Sequence, residues 1–429
     1  MEFTKTYEEK LGETLYSGKH ESGLDVFVLP KKGFSKKYAI YSVKYGSIDT
    51  SYLVNGKEVN DPMGIAHFLE HKLFELPGGG NAFDLFSKTG GNANAFTSHD
   101  MTGYLFSCSD YFNENLDILL SYVNDPYFTV ENVAKEQGII AQEIKMYDDD
   151  PEWRLFNNAL EALYFENPVR NDIAGTVESI SHITKDFLYQ IYDTFYHPEN
   201  MVLFVAGDVD VDDVAKLVDK NVKKRDRSFL VERKIYREPD CVKQKRIVKE
   251  MSVSQPSFIL GFKDNHVGLT GKELLKKNME TALLLKMMFS PSAPLYNELY
   301  QKGLINDTFG FDCLNSDSYF ATFLNGEAKE IDRTVEAVLA GIESVKKNGF
   351  SKEEIERCKK ASLGRQIRAY DAIESVANSF AANYFYQIGA FDFLSVYPAI
   401  TEESLMKRLM EVFNEHYAVS EMKPVSKGE

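Results

Sequence analysis

Cysteine is scarce in this chain. Its four residues, Cys108, Cys241, Cys313 and Cys358, lie far apart among 429 and form no CxxC pair. That excludes a disulfide framework and a thiolate zinc site, and reduced structural thiols are expected. Long apolar runs are missing too. No stretch approaches the roughly 20 residues of a membrane span. Residues 1–10 are charged and hold no apolar core of a secretory signal, so the expected location is cytoplasmic. Positive charge is in deficit: 49 Lys and Arg against 65 Asp and Glu give a formal net charge of −16. A phosphate backbone would be repelled, so nucleic acid is not an expected partner; the acidic surface serves solubility. Gly78-Gly79-Gly80 lacks the GK[ST] of a phosphate loop and marks a turn. Asp148-Asp149-Asp150-Pro151 lacks the spacing of a calcium loop. Ser98 beside His99 has no placed acid to complete a nucleophilic triad.

What is present is ordinary for a large globular chain: 44% hydrophobic and 27% charged residues, enough to build a core without staples. Residues 27–29 and 38–45 read as strands, rich in β-branched and aromatic side chains. Asp61 and Pro62 suit the N-cap and first position of a helix containing residues 65–71. Residues 96–107 read as a further strand, and residues 201–206 as a buried one ended by Gly207-Asp208. Thr129 can cap a long helix running through Glu136 and Glu143 toward Tyr147. Residues 223–249 crowd basic side chains around Pro239 and read as a linker. The second half repeats features of the first. Residues 188–196 overlay 409–417 at an offset of 409 − 188 = 221, a register that pairs Met201 with Met422 and Gly207 with Gly428. Phe128-Thr129 overlays Phe350-Ser351 at 350 − 128 = 222, where Ser351 and Glu354 form a capping-box pattern. The expected architecture is an α+β fold of two homologous domains, residues 1–222 and 250–429, joined by the basic stretch 223–249.

The chemistry is concentrated in His67-Phe68-Leu69-Glu70-His71, an HxxEH motif. Residues four apart share a helix face, so both imidazoles can reach one metal ion. Glu70 lies on the same side and is placed to act as a general base on water. A catalytic zinc typically takes three protein ligands, so a third must come from elsewhere. Glu143 is the best candidate. Glu136 lies two turns earlier on the same face, and one of the two carboxylates can bind zinc while the other orients a histidine. The order of residues in HxxEH is that of an inverted zincin. His99, His182 and His197 read as structural.

The run His67 to His71 with Lys72-Leu73-Phe74, then Gly91-Asn92-Ala93-Asn94-Ala95-Phe96-Thr97-Ser98, then Glu136 and Glu143, resembles the pitrilysin/insulinase/processing-peptidase family. The likeness continues through Tyr196-His197-Pro198-Glu199-Asn200-Met201 and Ala206-Gly207-Asp208 into the repeated half. It implies one Zn2+ held by His67, His71 and Glu143, with Glu136 behind a histidine and Glu70 as general base. It also implies that Asn94, Ala95 and Phe96 form an edge strand that pairs with an extended peptide substrate. The activity implied is that of a zinc endopeptidase. One departure stands out. Where the family carries an Arg and a Tyr in its second half, this chain has Tyr300 and Asn306. The second half also lacks HxxEH, and Glu143 falls opposite Arg365 or Gln366. A homologous partner subunit supplying Arg and Tyr is therefore expected, and a homodimer is compatible with the same surface. The rival readings are a non-catalytic assembly subunit, which would have no use for Glu70, and a zinc hydrolase of a non-peptide substrate.

Overall fold

A computed structural model describes residues 1–225 and 229–425 of the chain. It resolves into two compact units, neither contiguous in sequence. The first comprises Met1–Ile144, Asp172–Lys234 and Ile367–Phe385; the second comprises Lys145–Asn171, Ile235–Gln366 and Tyr386–Glu429.

The first unit is built on a seven-stranded sheet in the order Thr4–Glu8, Glu13–Lys19, Asp25–Pro30, Met201–Gly207, Lys37–Val43, Thr102–Cys108, Asn92–Thr97. Only Met201–Gly207 and Asp25–Pro30 pair in parallel. The second unit has a five-stranded sheet in the order Arg246–Met251, Tyr417–Pro424, Ser257–Lys263, Phe320–Glu327, Gly310–Asn315, again with a single parallel pair, Arg246–Met251 with Tyr417–Pro424. Both sheets are thus mostly antiparallel and packed with helices, and the two repeat one plan. Burial patterns follow from composition: Met201–Gly207, a run of apolar residues, is buried throughout as a central strand.

Each unit includes a helix from the other half of the chain. Ile373–Tyr384 lies on the first sheet, where the Phe380 ring packs 4.6 Å from Phe27 and from Phe204, and the Tyr38 hydroxyl donates to Asn378. Pro151–Leu163 lies on the second sheet, with Phe156 edge-on to Phe323 at 5.3 Å. The consecutive blocks 1–222 and 250–429 therefore differ from the compact units, because apolar helix faces were buried against sheets encoded far away in the chain. The stretch 223–249 is more than a linker. Val231–Arg233 pairs with Ser51–Val54 in the first unit, and Arg246–Met251 edges the second sheet. Several of its cations are matched to acids: Arg233 with Asp49, Lys234 with Glu58, Lys243 with Glu161, Arg246 with Glu421. Arg227 lies outside the described residues.

Three local expectations need correction. The helix after Asp61-Pro62 begins only at Ile65, because Gly64 stands at φ +86° with no side-chain cap. A Cβ there would meet the Ala174 carbonyl oxygen at 2.2 Å, so glycine is required at this approach. Residues 96–107 are not one strand but parts of a hairpin, Asn92–Thr97 and Thr102–Cys108, turning through Ser98, whose hydroxyl donates to the Met101 carbonyl. The repeat is real but slipped: Thr184 caps Lys185–Phe195 and Thr401 caps Glu402–Val412, an offset of 401 − 184 = 217. An error of four residues, 221 − 217, leaves every apolar side chain on the same helix face, so periodicity does not reveal it. Met422 lies within its strand rather than at the start, and Gly428 lies outside the described residues.

Candidate metal centre

The motif helix Ile65–Leu73 sits under the seven-stranded sheet with Phe68 and Leu69 fully buried, which turns His67 and His71 away from the core. Their rings stand 4.5 Å apart, inclined by 61°. Across from them runs the carboxylate helix Val130–Asp148, started by Thr129, whose hydroxyl accepts from the Asn132 amide. That helix brings in Glu143. His67 Nε2 lies 3.7 Å from Glu143 Oε1, and His71 Nε2 lies 3.8 Å from Oε2. One ligand atom from each residue falls within 4.8 Å of the other two, the only such group found among the described residues. The separations are too long for hydrogen bonds. Two donor atoms about 2.1 Å from a shared tetrahedral ion would lie roughly 3.4 Å apart. Two nitrogens and one oxygen at this spacing fit zinc.

The electrostatics suit the same ion. Burial, with repulsion from His71, pulls the His67 imidazole down to about 3 against the opposing charge of Glu136. His67 is therefore neutral, as a metal ligand must be. Its buried Nδ1 has no partner among the described residues. His71 Nδ1 lies 3.1 Å from Glu136 Oε1. A proton donated there leaves the Nε2 lone pair facing Glu143. Burial disfavours a charged His71, but the Glu136 hydrogen bond and the surrounding carboxylates outweigh it and raise its pKa. Glu136 is likewise opposed by burial, yet the hydrogen bond from His71 and the charge of Lys72 hold its carboxyl below the usual range.

Glu70 is buried on the inner side of the motif helix, and Thr97 donates to its Oε2 at 2.6 Å. Burial raises its pKa; the Thr97 hydrogen bond and His71 oppose the shift. That direction favours a carboxylate able to take up and return a proton. Thr97 belongs to Asn92–Thr97, which carries Asn94, Ala95 and Phe96 and forms the end of the sheet, with no strand on its outer side among the described residues. Tyr300 and Asn306 lie in the second unit. Tyr300 is exposed and stacks on Tyr296, and Asn306 donates to Glu327.

Sequence reasoning missed two residues. Thr97 was within reach, since it lies in the same Gly91–Ser98 motif. Lys72 was visible as a charge beside His71, but only the fold shows it buried, with Nζ 2.6 Å from Glu75 and 3.4 Å from Glu136.

The chain is similar to known proteins over most of its length. Residues 56–177 match the family described as Insulinase (Peptidase family M16), and residues 182–362 match Peptidase M16 inactive domain. A Bacillus subtilis (strain 168) protein, the uncharacterized zinc protease YmfH, is 44% identical over 94% of this chain and 95% of its own length. The crystal structure of a candidate M16-like peptidase from Alicyclobacillus acidocaldarius is 32% identical, covers 99% of each chain and superposes with a TM-score of 0.92. The periplasmic protease PqqL from Escherichia coli, 20% identical, shares the fold at a TM-score of 0.73 over 97% of this chain but only 48% of its own. No helix among the described residues is long and apolar enough to cross a membrane.

Proposed function

The chain belongs to the M16 insulinase family of peptidases, and from that premise we propose that it is a zinc endopeptidase acting on extended or unfolded peptides. The reading rests above all on one observation: two imidazoles and a carboxylate converge on a single point, with a buried glutamate beside them hydrogen-bonded to the edge strand of the sheet. His67, His71 and Glu143 would hold the ion, and Glu136 orients His71. Zinc bound there would supply Lewis-acid polarisation of the scissile carbonyl and a lowered pKa for water. Glu70 takes the proton from the attacking water and returns it to the leaving amine. Asn94, Ala95 and Phe96 align the substrate backbone as an added strand.

The chain is further proposed to work in the cytoplasm, in keeping with its four unpaired cysteines. It is proposed to pair with a homologous subunit. Tyr300 and Asn306 stand where the family places Arg and Tyr, and the fold of this chain spans about half of a longer relative. Each missing donor to the developing oxyanion costs about 10²–10³ in rate, so the isolated chain is expected to turn over slowly. The test is hydrolysis of an unstructured peptide by the zinc-loaded chain, alone and mixed with the candidate subunit. Glu70→Gln is expected to lower kcat by about 10²–10⁴ with zinc retained. Wild-type turnover in that variant would refute the general base. Full activity of the single chain, unchanged by the partner, would refute the shared site.

A further inference from the structure

A lysine side chain rarely lies fully inside a protein, since burying an ammonium is costly unless it is paired. Lys72 is 0% exposed. Its Nζ lies 2.6 Å from Glu75 Oε1 on one side and 3.4 Å from Glu136 Oε2 on the other. The other oxygen of Glu136 is the one 3.1 Å from His71 Nδ1. Glu75, Lys72, Glu136 and His71 thus form one continuous chain of contacts, all within the first unit.

The carboxylate torsion of a glutamate is soft. Held by His71 alone, the Glu136 carboxylate could swing and release the imidazole. Held at both oxygens, it cannot. The neighbouring positions Phe68, Leu69 and Leu73 show that an apolar side chain would fill this buried helix face. A lysine there is explained by what it holds. Glu75 offsets its charge at close range, so the ordering of Glu136 reaches the site without an added positive potential to oppose a cation.

We propose that Lys72 is a positioning residue for the metal centre, locking Glu136 against His71 from within the core. The inference rests on the reading that His67, His71 and Glu143 hold zinc. The test therefore begins with the zinc dissociation constant of the wild-type chain, by competition with a chelator. Absence of binding there removes the metal reading itself, and with it this one. Given wild-type binding, Lys72→Met is expected to weaken zinc about 10-fold, and Glu136→Gln by about 10–100-fold. The double variant is expected to bind no more weakly than Glu136→Gln alone, because Lys72 acts through Glu136. The visible spectrum of the cobalt-substituted Lys72→Met protein is expected to shift with its ligand field. A merely structural lysine would lower the melting temperature of the metal-free protein and leave zinc affinity unchanged, or its effect would add to that of Glu136→Gln. Either result overturns the proposal. Should Lys72→Met fail to fold, Glu75→Gln serves instead: it leaves the ammonium unbalanced and is expected to weaken zinc a few-fold, and unchanged affinity there overturns the proposal equally.

Discussion

Two helices built on one plan carry opposite chemistry. Val130–Asp148 starts at Thr129, whose hydroxyl accepts from the Asn132 amide at 3.1 Å; Lys352–Ala369 starts at Ser351, whose hydroxyl accepts from the Glu354 amide at 3.2 Å. At that offset, 351 − 129 = 222, Glu136 corresponds to Cys358 and Glu143 to Arg365. The first helix faces its neighbour with carboxylates, the second with a thiol and a guanidinium. Opposite the second helix stands Lys286, its Nζ 3.5 Å from Ser362 and its pKa lowered by burial and then by the charge of Arg365. Two cations there repel a divalent ion where two imidazoles and a carboxylate would hold one. The scaffold tolerates either sign, so chemistry is set by a few side chains on it and not by the fold.

Buried aspartates divide the units in the same way. Asp264, in the second unit, is enclosed by Arg408 at 2.5 Å and Lys277 at 2.9 Å. Burial opposes its ionisation, but those charges hold its pKa below the ordinary range. Asp61, in the first unit, has no cation against it among the described residues; burial pushes it from 3.8 up to about 6, opposed only by a hydrogen bond from Tyr52.

The contrast can be broken in four ways. The largest effect is expected from His67→Ala combined with His71→Ala: zinc should disappear from the whole chain, as read by metal analysis after dialysis. Retention of stoichiometric zinc would place a site in the second unit and undo the comparison. Next, Asp264→Asn leaves Arg408 and Lys277 buried without their carboxylate and is expected to cost about 3–5 kcal/mol at pH 7. Because the folded pKa of Asp264 is depressed, its contribution is present above about pH 4 and lost as the pH falls. A urea midpoint at pH 7 equal to wild type would contradict this. Asp61 runs the other way. Its folded pKa is raised, so the folded state binds more protons than the unfolded chain between about pH 4 and pH 6, and stability falls as the pH rises through that window. The penalty above it is about 3 kcal/mol at about 1.4 kcal/mol per pH unit. Asp61→Asn is therefore expected to match wild type near pH 4 and exceed it at pH 7; equal pH dependence of the two proteins would sink the idea. The smallest effect is expected from Thr97→Val, which removes the hydrogen bond to Glu70. A bond to a charged group is worth about 1.5–3 kcal/mol, so kcat should fall at least about ten-fold, with zinc affinity unmoved. A change in zinc affinity instead would assign Thr97 to the metal and not to the base.

Much of this was legible in the sequence because the signals were local. The i, i+4 spacing of the histidines, the Thr129 cap and the Ser351 cap each depend on side chains within one or two helical turns, and both caps stand where the sequence puts them. The fold class followed from the repeat. What local pattern could not supply was spatial partnership. The exchange of Pro151–Leu163 and Ile373–Tyr384 depends on which sheet face each helix buries. The need for glycine at position 64 comes from the Ala174 carbonyl, a neighbour supplied only by folding. The burial of Lys72 rests on two acids, Glu75 and Glu136, and the second of these is brought in only by folding.

The exchanged helices also fix when this protein can be finished on the ribosome. When the last strand of the first sheet, Met201–Gly207, has been synthesised, the rings of Phe27 and Phe204 still lack Phe380, which emerges only near the end of translation. Pro151–Leu163, by contrast, is made long before the strands it will cover. The nascent first half therefore exposes an aromatic sheet face and an unclaimed apolar helix together, throughout the synthesis of the second half. Maturation of the two units is interlocked, and a chain arrested before Ile373 has neither unit complete.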